Sequence, residues 1–263
     1  MSVINPPLKN EYIRPDWVEQ KLIDVKNLLR DRLRMGNYKP SPGLTEALIA
    51  AFTTEPEFGD VIFSTSDELE ANLAFVIPTL LGKEGKALIF SPSFLHQPTM
   101  KAQLNEFNMD TAIYNHRTDF DVREEMKNVF KDPESKLNFF HATPEMYTKE
   151  NQWLTDFLNE VTRLKKVDFV VITHAEWILD DFKQFKDYDK LQGLKDSNRS
   201  IKWIILGKNL DRGYEANKIA LTFGLRNPHF IDSEGESTVL KEKPFYYQMQ
   251  RCYYFDKSKY LDY

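Results

Sequence analysis

Short apolar runs bounded by turn-forming or charged residues recur along this chain, at 61–63, 87–90, 111–114, 137–140, 169–172, 203–206 and 229–231. Runs of this length, rich in Val, Ile and Phe, read as strands buried on both faces. Between them lie stretches with helical spacing, at 69–81, 98–107, 122–130, 152–164 and 214–223. Alternating buried strands and helices predict an α/β fold, a parallel sheet with helices on both faces.

Three regions depart from that regularity. A further amphipathic stretch begins near Asp16, after Pro15, and stops at Gly36. Lys21, Lys26, Arg30, Arg32 and Arg34 interleave there with Leu22, Ile23, Val25, Leu28, Leu29 and Leu33. The pattern predicts a helix with a solvated basic face, nucleic-acid binding being the other reading of that face. Residues 183–200 are charged and polar, with Phe185, Tyr188, Leu191 and Leu194 as their apolar content, and predict a surface connection with partial helix. The tail from Phe245 to Tyr263 holds Phe245, Tyr246, Tyr247, Tyr253, Tyr254, Phe255, Tyr260 and Tyr263. Aromatic density of that order needs a surface to cover it, whether by packing within the protein, at a protein interface or on stacked RNA bases.

Composition narrows the function classes. A hydrophobic content of 41% with 29% charged residues belongs to an ordinary folded protein, and no apolar run has the ~20 residues of a membrane span. The start, Met1-Ser2-Val3-Ile4-Asn5-Pro6-Pro7, lacks a secretory pattern, and the single Cys252 permits no internal disulfide. An intracellular, reducing location is expected, without a choice between cytoplasm and nucleus. A net charge of −5 gives no global attraction to nucleic acid. His96, His141, His174 and Glu176 each follow an expected strand, but their spacing matches no metal signature, and no metal is expected.

A series of segments then matches, in order, the motifs of one known family. Gly36-Asn37-Tyr38-Lys39-Pro40-Ser41-Pro42-Gly43-Leu44 is similar to the family's G-x-x-x-P-T-P-I-Q, with Leu44 at the adenine-reading glutamine. Ala74-Phe75-Val76-Ile77-Pro78-Thr79-Leu80 resembles the helix after the phosphate loop, and so puts Ala71 at the loop's lysine and Asn72 at its threonine. Ala87 to His96 resembles A-L-I-L-A-P-T-R-E-L, with Phe94 at the arginine, and Thr143-Pro144-Glu145-Met146 resembles T-P-G-R. Val171-Ile172-Thr173-His174-Ala175-Glu176-Trp177-Ile178-Leu179-Asp180-Asp181-Phe182 mirrors the D-E-A-D segment, with Thr173 and His174 at its catalytic carboxylates. Gly207-Lys208-Asn209 stands at the S-A-T motif, and Leu225-Arg226-Asn227-Pro228 resembles F-L-R-N-P.

Over roughly 36–231 the chain thus resembles the N-terminal RecA-like domain of the DEAD-box (superfamily 2) RNA helicases, which implies a RecA-like domain over 36–236, preceded by an extension at 1–35 and followed by an aromatic tail or interdomain linker at 237–263. A phosphate loop grips its anion through glycines, a lysine and a hydroxyl. The acids Asp67, Glu68 and Glu70 occupy that stretch here, where they repel a triphosphate or, with Ser66 or Asp67 as cap, simply start a helix. The resemblance therefore implies a pseudo-helicase without ATP or other cofactor and without catalysis. It would act as a protein-interaction and assembly module in an RNA-processing or RNA-silencing complex, with Phe245, Tyr246, Tyr247, Tyr253 and Tyr254 as interaction candidates. The alternative is an ATP-independent RNA-binding module using Lys101, Arg117 and Lys149.

Overall fold

The computed structural model describes residues 16–53, 59–148, 150–179 and 183–240, the side chains of 183–186 apart. The chain divides into two compact units, Met1–Lys39 and Pro40–Tyr263. In the first, α1 (Asp16–Asp31) carries Val18, Val25 and Leu29 along one side and ends five residues before Gly36.

The second unit contains α2 (Pro42–Phe52), β1 (Val61–Ser64), α3 (Glu68–Leu81), β2 (Ala87–Phe90), α4 (His96–Glu106), β3 (Asp110–Ile113) and α5 (Phe120–Lys131). It continues through β4 (Leu137–Ala142), α6 (Gln152–Arg163), β5 (Phe169–Ile172), α7 (Gln192–Ser197), β6 (Lys202–Gly207), α8 (Tyr214–Phe223), β7 (His229–Asp232) and β8 (Ser237–Val239). The strands form one sheet in the order β3-β4-β2-β5-β6-β1-β7-β8. Every neighbouring pair is parallel except β7 and β8. All residues of β1, β2 and β5 are buried, as strands covered on both faces must be.

The core is aromatic. Phe140 meets Phe157 edge-on with centroids 5.0 Å apart, and Trp153 stacks on Tyr114 at 5.3 Å. Trp203 and Phe223 extend the cluster toward β6 and α8. Each fully buried phenylalanine of this cluster stabilises the fold by ~1.5–3 kcal/mol. A polar anchor sits at the opposite strand ends from the site described below. Asp60, just before β1, accepts hydrogen bonds from Lys195 Nζ at 2.6 Å, Trp203 N at 2.8 Å and Arg226 N at 3.2 Å.

Two expectations need correction. Residues 183–200 are no surface connection: 3-10 helix runs from Lys183 to Leu191 and continues into α7, and Tyr188, Leu191 and Leu194 lie in the main core. A 3-10 helix has three residues per turn, so Tyr188 and Leu191 share one face of it, and Leu194 follows one turn later in α7. The antiparallel β8 lies in a segment from which no strand was expected. Asp180-Asp181-Phe182, Lys149 and the tail aromatics Phe245, Tyr246, Tyr247, Tyr253 and Tyr254 fall outside the described residues. No described helix is long and apolar enough to cross a membrane.

Candidate functional site

Open α/β sheets place ligands at the carboxyl ends of their strands. A cavity of about 150 Å³ lies there, at the ends of β1, β5 and β6 and against the first turns of α3 and α4. Of the seven positions singled out by sequence, it gathers six: Ala71, Asn72, Thr173, His174, Gly207 and Lys208. Asn209 does not line it; its backbone is left-handed, with φ 53°.

The turn from β1 into α3 determines what this cavity offers. Only Thr65, Ser66 and Asp67 separate strand from helix. Asp67 is the N-cap of α3: its Oδ1 accepts from the amides of Leu69 at 2.8 Å and Glu70 at 3.1 Å. Its backbone carbonyl accepts from the amide of Ala71 at 3.0 Å. The amides of Leu69 and Glu70, which at an uncapped helix start would be free for an anion, are thus satisfied within the chain, while the Ala71 bond is the first of the helix's own ladder. Thr65 Oγ1 in turn accepts from Asp67 N at 3.1 Å, which fixes the cap.

The remaining acids are also engaged. Glu70 accepts from Ser41 N at 3.0 Å and Ser41 Oγ at 2.7 Å, tying the start of α2 to α3. Glu68 receives Lys208 Nζ at 3.1 Å, and Gln103 bridges Glu68 and Asn72. Leu44, next to these groups in α2, is fully buried in the core and carries no group that could hydrogen-bond a base.

Beyond β5, His174 adopts a left-handed backbone with φ 55° and leads into a 3-10 turn, Ala175–Ile178. Its Nδ1 lies 3.4 Å from Glu176 Oε1, while Glu176 Oε2 accepts from Lys208 N at 3.0 Å. Burial opposes ionisation of Glu176, but the bonds from His174 and Lys208 outweigh it and hold the carboxyl below its ordinary range. Thr173, buried, donates its hydroxyl toward Phe90 O. The histidines expected after separate strands do converge: His96 lies 4.8 Å from His174 between ring centroids. Among the described residues no group of three His, Cys, Asp or Glu side chains is placed to hold a metal ion.

Of the RNA-contact candidates, the described Lys101 and Arg117 do not line this cavity. Lys101 is exposed on α4, and the Arg117 guanidinium stacks 5.3 Å over the Phe94 ring, which also meets His116 edge-on. The ties that sequence reasoning missed are Ser41 to Glu70 and Glu176 to Lys208, which join positions 29 and 32 residues apart.

Solved structures share this fold. The chain superposes on Mss116p bound to ssRNA and AMP-PNP with a TM-score of 0.58 and 18% identity, over 82% of this chain and 45% of that one. The fold is that of a RecA-like helicase domain. The same helicase-like fold recurs in the DUF1998 helicase MrfA bound to DNA, with a TM-score of 0.60 and 13% identity, over 86% of this chain and 31% of that one. The yeast DEAD-box splicing factor Prp28 matches with a TM-score of 0.52 and 16% identity, over 84% of this chain and 50% of that one. This chain therefore spans half or less of each of these proteins. No protein-family model and no curated protein sequence matches the chain.

Proposed function

We propose that this helicase-like domain is a pseudo-helicase: a RecA-like scaffold that neither binds nor hydrolyses ATP and serves as a protein-docking and assembly module in an RNA-processing or RNA-silencing complex. The observation that carries this reading is the capping of α3 by Asp67, whose carboxylate takes the amides at 69 and 70 that a phosphate would need. A triphosphate would have to displace a carboxylate from those amides and then lie beside Glu68 and Glu176. Ala71 and Asn72 supply no cation to compensate, and Lys208 is committed to Glu68. Thr173 and His174 stand where the resemblance calls for the carboxylates of magnesium binding and hydrolysis.

Isothermal titration of the chain with ATP and magnesium tests the reading. The expected result is no measurable heat of binding; micromolar affinity would overturn it. The competing reading, RNA binding without ATP, is separated by fluorescence polarisation with single-stranded RNA across a salt series, since phosphate contacts give a salt slope. A flat, salt-independent baseline favours the docking module.

A further inference from the structure

The carboxyl ends of β2, β4 and β5 bring three histidines together beside the cavity. His96 opens α4, and its ring centroid lies 4.8 Å from that of His174 and 5.0 Å from that of Trp177. His141, at the end of β4, is fully buried with Nε2 2.5 Å from Ser91 Oγ. The carbonyl of His141 accepts from Gln97 Nε2 at 3.2 Å, which ties the start of α4 to β4. The first turn of α4 is therefore one wall of the cavity, and it rests on the imidazole of His174 and the indole of Trp177.

We propose that this histidine cluster is an acid-opened clamp, in which protonation of His96 drives the first turn of α4 away from His174 and Trp177 and opens the cavity.

The surroundings of His96 oppose a positive charge. It is the first residue of α4, where the helix dipole repels a cation. It faces a second imidazole, His174, from the 3-10 turn, and His141 from β4. Arg117 and His116, from the loop before α5, pack on Phe94 two residues upstream. Lys208 lines the far wall from the end of β6. The acids that face the same space are all engaged: Glu176 with His174 and the Lys208 amide, Asp67 with the α3 amides, Glu68 with Lys208 and Gln103.

Burial, and then His174, hold His96 below the ordinary imidazole range, and burial pushes His141 down to about 3. Both side chains are neutral in the closed form at neutral pH. The closed form binds fewer protons than the open one, so its advantage is complete above about 6.5 and is lost as pH falls below that value. This inference goes beyond the nucleotide question and holds whether or not ATP binds.

Hydrogen–deuterium exchange at pH 7 and pH 5, corrected for the intrinsic pH dependence of exchange, tests it. Peptides covering 93–100 and 174–179 are expected to lose protection by roughly tenfold at pH 5, while β6 keeps its protection. In His96→Gln that pH response is expected to disappear, and in His174→Gln to shrink, since the burial of His96 remains. Unchanged protection in the wild-type protein overturns the proposal, as does an undiminished response in either folded variant.

Discussion

Asp67 Oδ1 lies 2.8 Å from the backbone nitrogen of Leu69, and the carboxylate of the protein's own chain thereby occupies the place that an anion takes at the start of a helix. Sequence shows an acidic stretch and offers Ser66 or Asp67 as the cap of a helix. The geometry adds that the acids are structural parts: one caps α3, one ties α3 to Ser41 and one fixes Lys208.

Replacing the cap tests the first of these. Asp67→Ala is expected to lower stability by about 1 kcal/mol, while Asp67→Ser, which keeps an acceptor, loses only a fraction of that. Urea denaturation of the three proteins checks it; equal stability of wild type and Asp67→Ala would mean that the cap contributes nothing.

The Asp60–Lys195 pair is buried, with both side chains 3% exposed. Removing one partner leaves a buried charge, so Lys195→Met is expected to cost about 3–5 kcal/mol, and Asp60→Asn with Lys195→Met less than the sum of the single changes. A double-mutant cycle in denaturant reads the coupling; additive losses would contradict it.

Gly59 admits no side chain. A Cβ there would lie 1.7 Å from Arg226 O and 2.7 Å from Asn227 O, and backbone cannot yield as a flexible side chain does. Gly59→Ala is expected to destabilise by about 3 kcal/mol, seen as a lower thermal midpoint. An unchanged midpoint would show that the two backbones separate freely.

Lys202 reaches the end of α2, where its Nζ donates to Ala50 O and Thr53 O, each at 2.6 Å. Burial pushes this lysine down to about 8. Between that value and about 10.4, the unfolded chain holds a proton that the folded chain has released, so stability rises with pH across the window by up to ~1.4 kcal/mol per unit. Below about 8 the cost of the buried charge is fully present. Denaturation between pH 8 and 10 is expected to show the rise in wild type and not in Lys202→Met; the same slope in both would remove Lys202 as its source.

Particular residues show what sequence could reveal. The seven strands of the parallel part were legible because runs such as Val61-Ile62-Phe63 are buried on both faces and so stay apolar throughout. Strand β8 was not: Ser237, Thr238 and Val239 are exposed on an edge and have no apolar pattern. Tyr188, Leu191 and Leu194 were read as part of a surface connection because charged and polar residues surround them, although their side chains pack into the main core. At the site, the aligned positions converge on one cavity, since strand order alone brings β5, β6 and β1 side by side. The hydrogen bonds of Ser41, Glu70, Glu176 and Lys208 depend on three-dimensional packing, and no local pattern announces them.

The most direct test of the central claim is thermal unfolding of the chain with and without millimolar ATP and magnesium. A ligand that binds only the folded state raises its stability, by about 2.7 kcal/mol at a hundred times its dissociation constant. The account expects the same midpoint in both samples, whereas a rise of several degrees with ATP would contradict it and mean that Asp67 yields its amides to a phosphate.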